Sequence, residues 1–419
     1  MIRFVYTCFL YVLMPVIVLR LYWKSRRLPA YRHRILERLT LERVKKKCPV
    51  DVWIHAVSLG EVVAATPLID AMLAKQWCVL VTTMTPTGSA QVIKHFKHQV
   101  LHQYLPYDLP WCLRRFFKKY HPRLGIVMET ELWPNVIDQA KRESIPLLLI
   151  NARLSDRAFK QYQKVDFVLQ PVLNQLTAIL AQSDEDARRF IRLGASEALV
   201  QVVGNMKFDV PLFFSEETVG RQLKARWGGA RTVMIAASTH DNEEQQLLSH
   251  LPELKVGIPD LLLLLVPRHP ERFQAVFQGS QRLGFKTGLR SQPETIDVHT
   301  EVVVVDSMGE LLHFYQQSDY AFVGGSLVPI GGHNVLEPIA LKVPVFCGPY
   351  MQNSKAICQA LQVAGAITIV ANIQELVGAL TSMYQHPLLR QQQIKQASMV
   401  LESNRGTLAR CMERIEQHI

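Results

Sequence analysis

The chain opens with an uncharged apolar run from Phe4 to Leu19, and Leu21, Tyr22 and Trp23 carry it past Arg20. A spanning helix takes about 20 apolar residues, and this run suffices if Arg3 and Arg20 snorkel to the interface. Tyr22 and Trp23 suit the headgroup level. A cleaved signal peptide fits poorly, because no small-residue cleavage site follows and the basic cluster lies after the apolar run. Residues 1–23 are therefore expected to be a membrane anchor, spanning the bilayer or lying in its interface. From Tyr31 to Lys47 the pattern predicts a basic amphipathic helix, with Ile35, Leu36, Leu39 and Val44 on its apolar side. Residues 24–50 would then be a linker.

From Asp51 the pattern becomes a short apolar run, a turn and a helix, repeated. It predicts strands over 52–57, 79–84, 124–128, 147–150, 178–181 and 199–203. A polar connection over 211–230 interrupts it. It resumes with strands over 232–236, 261–266, 301–305, 320–323, 343–347 and 366–370. Helices follow from Gln374, broken at Pro387. Alternation at this spacing predicts an α/β fold of doubly wound parallel sheets. One domain would cover 51–210, a second 231–386, and terminal helices 387–419. Ligands bind such sheets at the carboxyl ends of the strands. Polar residues just after strands are thus the candidates for chemistry.

Charge narrows the picture. Residues 20–47 hold eleven Lys and Arg against Glu37 and Glu42, which accounts for nine of the net +11. This cluster adjoins the apolar run, where it would meet anionic lipid headgroups, so a membrane surface is the expected partner and nucleic acid is not. By the positive-inside rule the rest of the chain faces the cytoplasm. The seven cysteines are scattered, odd in number and never spaced C-x-x-C. Reduced thiols are expected, with neither a disulfide framework nor a zinc site.

In the first domain, Glu61 and Glu129 fall where a strand hands over to a helix. Either is suited to take a proton from an attacking hydroxyl. Either is equally suited to offset a helix dipole, and a helix N-terminus lowers a carboxylate's pKa, which weakens it as a base. In the second domain four strand ends carry polar cargo: Ser238-Thr239, Pro267-Arg268, Met308-Gly309-Glu310, and Asn334-Val335-Leu336-Glu337. Arg268 can bind a phosphate in a bidentate way. The stretch Val323–Pro349 reads as strand, glycine loop, short helix, strand. Its helix is expected to open at Asn334 with N–H groups that favour an anion. Glu337, one turn on, could accept both hydroxyls of a ribose. No G-x-G-x-x-G follows a strand, and no Walker A motif is present. No D-x-D or His/Cys set follows a strand with ligand spacing, so neither a catalytic metal nor another cofactor is expected.

Several segments together resemble one family. They are His55-Ala-Val-Ser58-Leu-Gly60-Glu61, Thr82-Thr-Met-Thr-Pro-Thr-Gly88, Glu129-Thr-Glu-Leu-Trp-Pro-Asn135, Asn151-Ala-Arg-Leu-Ser155, Gly204-Asn-Met-Lys207-Phe-Asp209, Pro267-Arg268-His-Pro-Glu-Arg272 and Val323–Pro349. The sequence is similar along its length to the transferases of 3-deoxy-D-manno-octulosonic acid (Kdo), which are glycosyltransferases of GT-B fold. The resemblance implies two Rossmann-like domains facing a cleft, an N-terminal anchor in the inner membrane, and catalytic domains on the cytoplasmic face. It implies inverting transfer from CMP-Kdo to an anionic lipid A precursor, lipid IVA. It casts Glu61 as general base, and Glu129 and Lys207 as transition-state stabilisers. The CMP-binding segments would be Pro267-Arg268, Met308-Gly309-Glu310 and Asn334-Val335-Leu336-Glu337. Three positions depart from the family pattern: Ala237 and Asn242 replace usual glycines, and Val335 a common proline. None removes a proposed functional side chain. The rival readings are another GT-B enzyme, such as a lipid glycosyltransferase or a nucleotide-sugar epimerase, and a non-catalytic lipid- or nucleotide-binding scaffold.

Overall fold

The computed structural model describes residues 2–26, 29–32, 34–41, 49–209 and 224–419. Val44, much of the predicted basic helix and most of the predicted linker fall outside these residues. The chain forms two compact units. One comprises Met1–Asp209 with Arg405–Ile419, and the other Val210–Asn404.

The first unit holds a seven-stranded parallel sheet: β1 Val52–His55, β2 Val79–Thr83, β3 Leu101–Tyr104, β4 Leu124–Met128, β5 Leu147–Ala152, β6 Ala178–Ala181 and β7 Val200–Val202. Its spatial order is β3-β2-β1-β4-β5-β6-β7. In β1 the pleat sends Val52 and Ile54 into one apolar layer and Trp53 into the other. Helices cover both faces, so the strands read as unbroken apolar runs rather than alternating ones. β3 is absent from the predicted strands. It is an edge strand of sequence Leu-His-Gln-Tyr, paired on one side only, and it lacks the apolar run of the interior strands.

The second unit repeats the design with β8 Val233–Thr239, β9 Leu262–Pro267, β10 Thr287–Leu289, β11 Val302–Val304, β12 Tyr320–Val323, β13 Val345–Cys347 and β14 Thr368–Ile369. The order is β10-β11-β9-β8-β12-β13-β14. Met234 and Ala236 face one layer, and Val233, Ile235 and Ala237 the other. The strand that the sequence reading omits, β10, is again an edge: three residues with a glycine in the middle.

Each sheet changes winding direction once, between β1 and β4 and between β8 and β12. Crevices for ligands open at such switch points. Glu61 follows β1 and Glu129 follows β4. Thr239 ends β8 and the glycine loop follows β12.

The helices over 387–419 are divided between the units. Pro387–Asn404 belongs to the second, whereas Thr407–Glu416 buries Cys411, Met412 and Ile415 in the core of the first. Asp209 ties that return down, its two oxygens accepting from the N–H groups of Gly406 at 2.7 Å and Leu408 at 2.6 Å.

Candidate active site

In the first unit, the helix Leu59–Ala74 starts two residues after Val57, and Glu61 sits in its first turn. Its side chain folds back over the turn. Oε2 accepts from the Val57 N–H at 2.8 Å and Oε1 from the Ser58 hydroxyl at 3.0 Å. The residue is buried, and burial pushes the carboxyl up to about 7. The two hydrogen bonds oppose the rise, while the negative fields of Glu131 and Glu129 reinforce it. The sequence-based expectation of a lowered pKa at a helix start is thus reversed: desolvation outweighs the local donors.

Glu129 follows β4 in a left-handed backbone conformation, φ 56°, which non-glycine residues seldom adopt. Such strain persists where the surroundings enforce it, and it clusters at functional sites. Here the Glu129 N–H is held by the Ile150 carbonyl at 3.0 Å, and its Oε2 lies 3.0 Å from Arg153 Nε. Glu131, two residues on, accepts from the Trp133 indole at 2.7 Å, and burial raises its pKa.

Lys207 approaches the same group from the end of the sheet. A chain of amides positions its backbone: Gln182 donates to the Asn151 carbonyl at 2.9 Å, Asn205 donates to Gln182 at 2.9 Å, and the Lys207 N–H donates to Asn205 at 3.0 Å. Burial lowers the pKa of the Lys207 ammonium; Glu129 opposes this and Arg153 adds to it. Glu61, Glu129 and Lys207, far apart in sequence, therefore share one electrostatic neighbourhood within the first unit. Arg153 and Glu131 belong to it too. Neither is singled out by its sequence motif, although both lie just after strands, Glu131 after β4 and Arg153 after β5.

In the second unit the glycine loop is pinned by a residue to which the sequence reading gave no role. Glu243, fully buried, begins the helix Glu243–Gly257. Its Oε2 accepts from His240 N–H at 3.0 Å and Gly325 N–H at 2.7 Å. Its Oε1 accepts from Ser326 N–H at 3.0 Å and Leu327 N–H at 2.9 Å. One carboxylate thus joins the end of β8 to the loop after β12. Gly324 allows the approach, since a Cβ there would lie 2.7 Å from the Ser238 carbonyl oxygen. Asn242, a departure from the family pattern, sits at φ 72°. That is a glycine-like conformation that asparagine tolerates well.

Around this hinge stand three imidazoles. His240 and His333 lie edge to edge with ring planes 2° apart, joined through their Nε2 atoms at 2.8 Å. His269 meets His240 edge-on at a centroid distance of 5.3 Å. Arg268 follows β9; its N–H donates to the Thr239 carbonyl at 3.0 Å, and its side chain is exposed. Burial, His240, Arg268 and His269 together push His333 down to about 4.

The other two loops are braced from within. Glu310 receives a two-pronged bond from Arg290, at 3.0 and 2.8 Å, and a third from Ser307 at 2.5 Å. This fixes the turn that carries Met308 and Gly309, with Met308 exposed and Gly309 at φ 89°. The short helix after the glycine loop spans Leu336–Ala340 with Val335 at its N-cap position, so it begins two residues later than the sequence suggests. Asn334 bridges the start: its Oδ1 accepts from Leu336 N–H at 3.0 Å and its amide donates to Glu337 Oε1 at 2.9 Å. One Glu337 oxygen is thereby engaged within the loop, and burial raises that carboxyl.

Residues 33–210 match the model of the family described as 3-Deoxy-D-manno-octulosonic-acid transferase (kdotransferase). The chain is 38% identical over 424 residues to the 3-deoxy-D-manno-octulosonic acid transferase of Haemophilus influenzae, covering 100% of this chain and 99% of that one. It is 32% identical over 429 residues to the enzyme of that name from Bordetella pertussis, covering 99% of each. Among solved structures, a UDP-GlcNAc 2-epimerase from Neisseria meningitidis aligns with a TM-score of 0.58 over 88% of this chain and 100% of that one. At 14% identity this likeness shows the fold alone. The chain belongs to the 3-deoxy-D-manno-octulosonic acid transferases, glycosyltransferases of GT-B fold.

Proposed function

We propose that the protein moves Kdo from CMP-Kdo to a hydroxyl of a lipid A precursor, lipid IVA, with inversion at the anomeric carbon. Glu61 is the general base. The observation that carries this reading is the state of Glu61: buried, held by Val57 and Ser58, and pushed up to about 7. A base with a pKa near the working pH is both available and strong enough to assist transfer.

In the step, the acceptor O–H gives its proton to Glu61 while its oxygen bonds the anomeric carbon. The bond from that carbon to the CMP phosphate oxygen breaks, and its electron pair leaves with CMP. Positive charge grows on the sugar and negative charge on the phosphate. Fixed charges aimed at such developing charge are the main source of stabilisation in a dry site. Glu129 and Lys207 take that role in the acceptor-binding domain, residues 51–210. In the CMP-sugar-binding domain, residues 231–386, Arg268 meets the phosphate, and Pro267, Met308–Glu310 and Asn334–Glu337 hold the nucleotide. The anchor and its basic collar suit an anionic lipid acceptor at the cytoplasmic face of the inner membrane.

The test is mass spectrometry of a tetraacyl lipid A precursor incubated with the protein and CMP-Kdo regenerated by its synthetase. Gain of one or more Kdo units is expected. Glu61→Gln should bind CMP normally and lose about 10²–10⁴ in rate. Undiminished transfer by a folded Glu61→Gln protein would refute the base assignment, and free turnover of the donor without lipid would favour an epimerase or another GT-B activity.

A further inference from the structure

The apolar helix Ile2–Ser25 is long and apolar enough to cross a bilayer. It is also bound to the first unit from its first turn to its last. Arg3 pairs with Asp138. Tyr6 donates its hydroxyl to Asp108 at 2.9 Å, and the Asn135 amide donates to the Thr7 hydroxyl at 3.0 Å. Leu10, Met14 and Ile17 pack onto a cluster formed by Leu21, Tyr107, Leu109 and Cys112. Between Arg3 and Leu21 the helix advances about 27 Å at 1.5 Å per residue.

A spanning helix is incompatible with these contacts. Its first turn would stand on the far side of a hydrocarbon layer about 30 Å thick. Asp108 and Asn135 cannot follow it there. Asp108 is buried in the unit and caps the helix Pro134–Arg142, accepting from Asn135 N–H at 3.1 Å and Val136 N–H at 2.8 Å.

Among the described residues, the opposite side of the helix has no protein partner. Val5, Phe9, Val12, Val16, Leu19 and Trp23 form one stripe, each between 59% and 74% exposed. At 3.6 residues per turn this stripe lies roughly 150° round the helix from the docked one. Arg20 and Arg26, both exposed, stand at its carboxyl end, placed for anionic headgroups.

We infer that this helix lies along the membrane surface, clamped lengthwise to the first unit, with its Val5–Trp23 stripe in the headgroup–acyl boundary. The protein supplies the covered face that water would cover in a free interfacial helix. The clamp grips the loop after β3, through Tyr107 and Asp108, and the helix that follows the Glu129–Trp133 turn. Both are at the carboxyl edge of the sheet, which also carries Glu61. The anchor thereby sets the candidate base beside the lipid surface, and a lipid acceptor needs only to expose its sugar there.

This inference rests on the reading of the chain as a membrane-surface enzyme, and its test measures depth rather than sugar transfer, so the two fail separately. Nitroxide labels are placed singly at Val5→Cys, Val12→Cys and Leu19→Cys in full-length protein with Cys8, Cys48 and Cys78 replaced by alanine. The protein is reconstituted in bilayers of phosphatidylethanolamine and phosphatidylglycerol. Oxygen and nickel accessibilities then give each label's depth. A surface helix places all three at one shallow depth, within about 5–10 Å of the boundary. A profile in which Val12 lies near the midplane, about 15 Å down, with Val5 and Leu19 shallow, would overturn the inference. So would three labels exposed to water. Activity of the same samples reports separately on the catalytic reading.

Discussion

The carboxylate of Glu243 accepts from the backbone N–H of Ser326 at 3.0 Å, across 83 residues of sequence. Three more N–H groups, of His240, Gly325 and Leu327, converge on the same two oxygens. This single side chain holds the end of β8 against the glycine loop. Glutamine cannot replace it, because its NH₂ group would face backbone donors and leave them unpaired. Glu243→Gln should cost about 2–4 kcal/mol and raise the Kd for CMP. Urea denaturation and CMP titration check the two effects.

Glu61 makes activity and stability diverge with pH. Its folded pKa, about 7, lies above the ordinary carboxylate value. The stability that the protonated group contributes is fully present below the unfolded pKa, and it is lost as pH rises through about 7. With Glu61 as the proposed base, which must be ionised to act, the acid limb of kcat/KM should bend near 7. Glu61→Gln should be more stable than the parent at pH 8 by about 1–3 kcal/mol, a shift of 1.36 kcal/mol per pKa unit being the upper guide. At pH 4 the difference should vanish. Denaturation midpoints at the two pH values, beside the rate profile, test both.

The imidazole pair of His240 and His333 gives the opposite dependence. Its Nε2–Nε2 bond needs one donor and one acceptor, and a doubly protonated ring has no acceptor. His333 is pushed down to about 4 by burial and by His240, Arg268 and His269. A histidine with a lowered folded pKa binds fewer protons folded than unfolded. Stability is thus lost as pH falls from about 6.5 toward 4. His333→Gln should flatten this dependence by about 1–2 kcal/mol after discounting for partial exposure. Unfolding at pH 5 and pH 7.5 measures it.

Asp209 closes the motif that also carries Lys207, yet its work is structural. It caps the returning helix Thr407–Glu416 through Gly406 and Leu408. Asp209→Ala should destabilise the protein by about 1–2 kcal/mol, in the range of a lost helix cap. Transfer by the remaining folded fraction should be little changed. Thermal unfolding with activity corrected for folded fraction tests this.

The apolar patterning alone determined the α/β class and the interior strands, because a strand covered on both faces must be apolar along its length. It could not show β3 or β10, whose edge positions relax that demand. Position after a strand was enough to single out Glu61, Glu129, Arg268 and the Asn334–Glu337 segment. Three things came only from the folded chain. Glu61 is a raised rather than a lowered acid, because desolvation depends on what packs around it. Arg153 and Glu131 join Glu129, and Glu243 commands the glycine loop, because sequence spacing carries no information on which distant backbone groups converge. The apolar amino-terminal run had the length to span, but whether it leaves the protein or lies against it was decided by Asp108 and Asn135, which offer Tyr6 and Thr7 fixed partners.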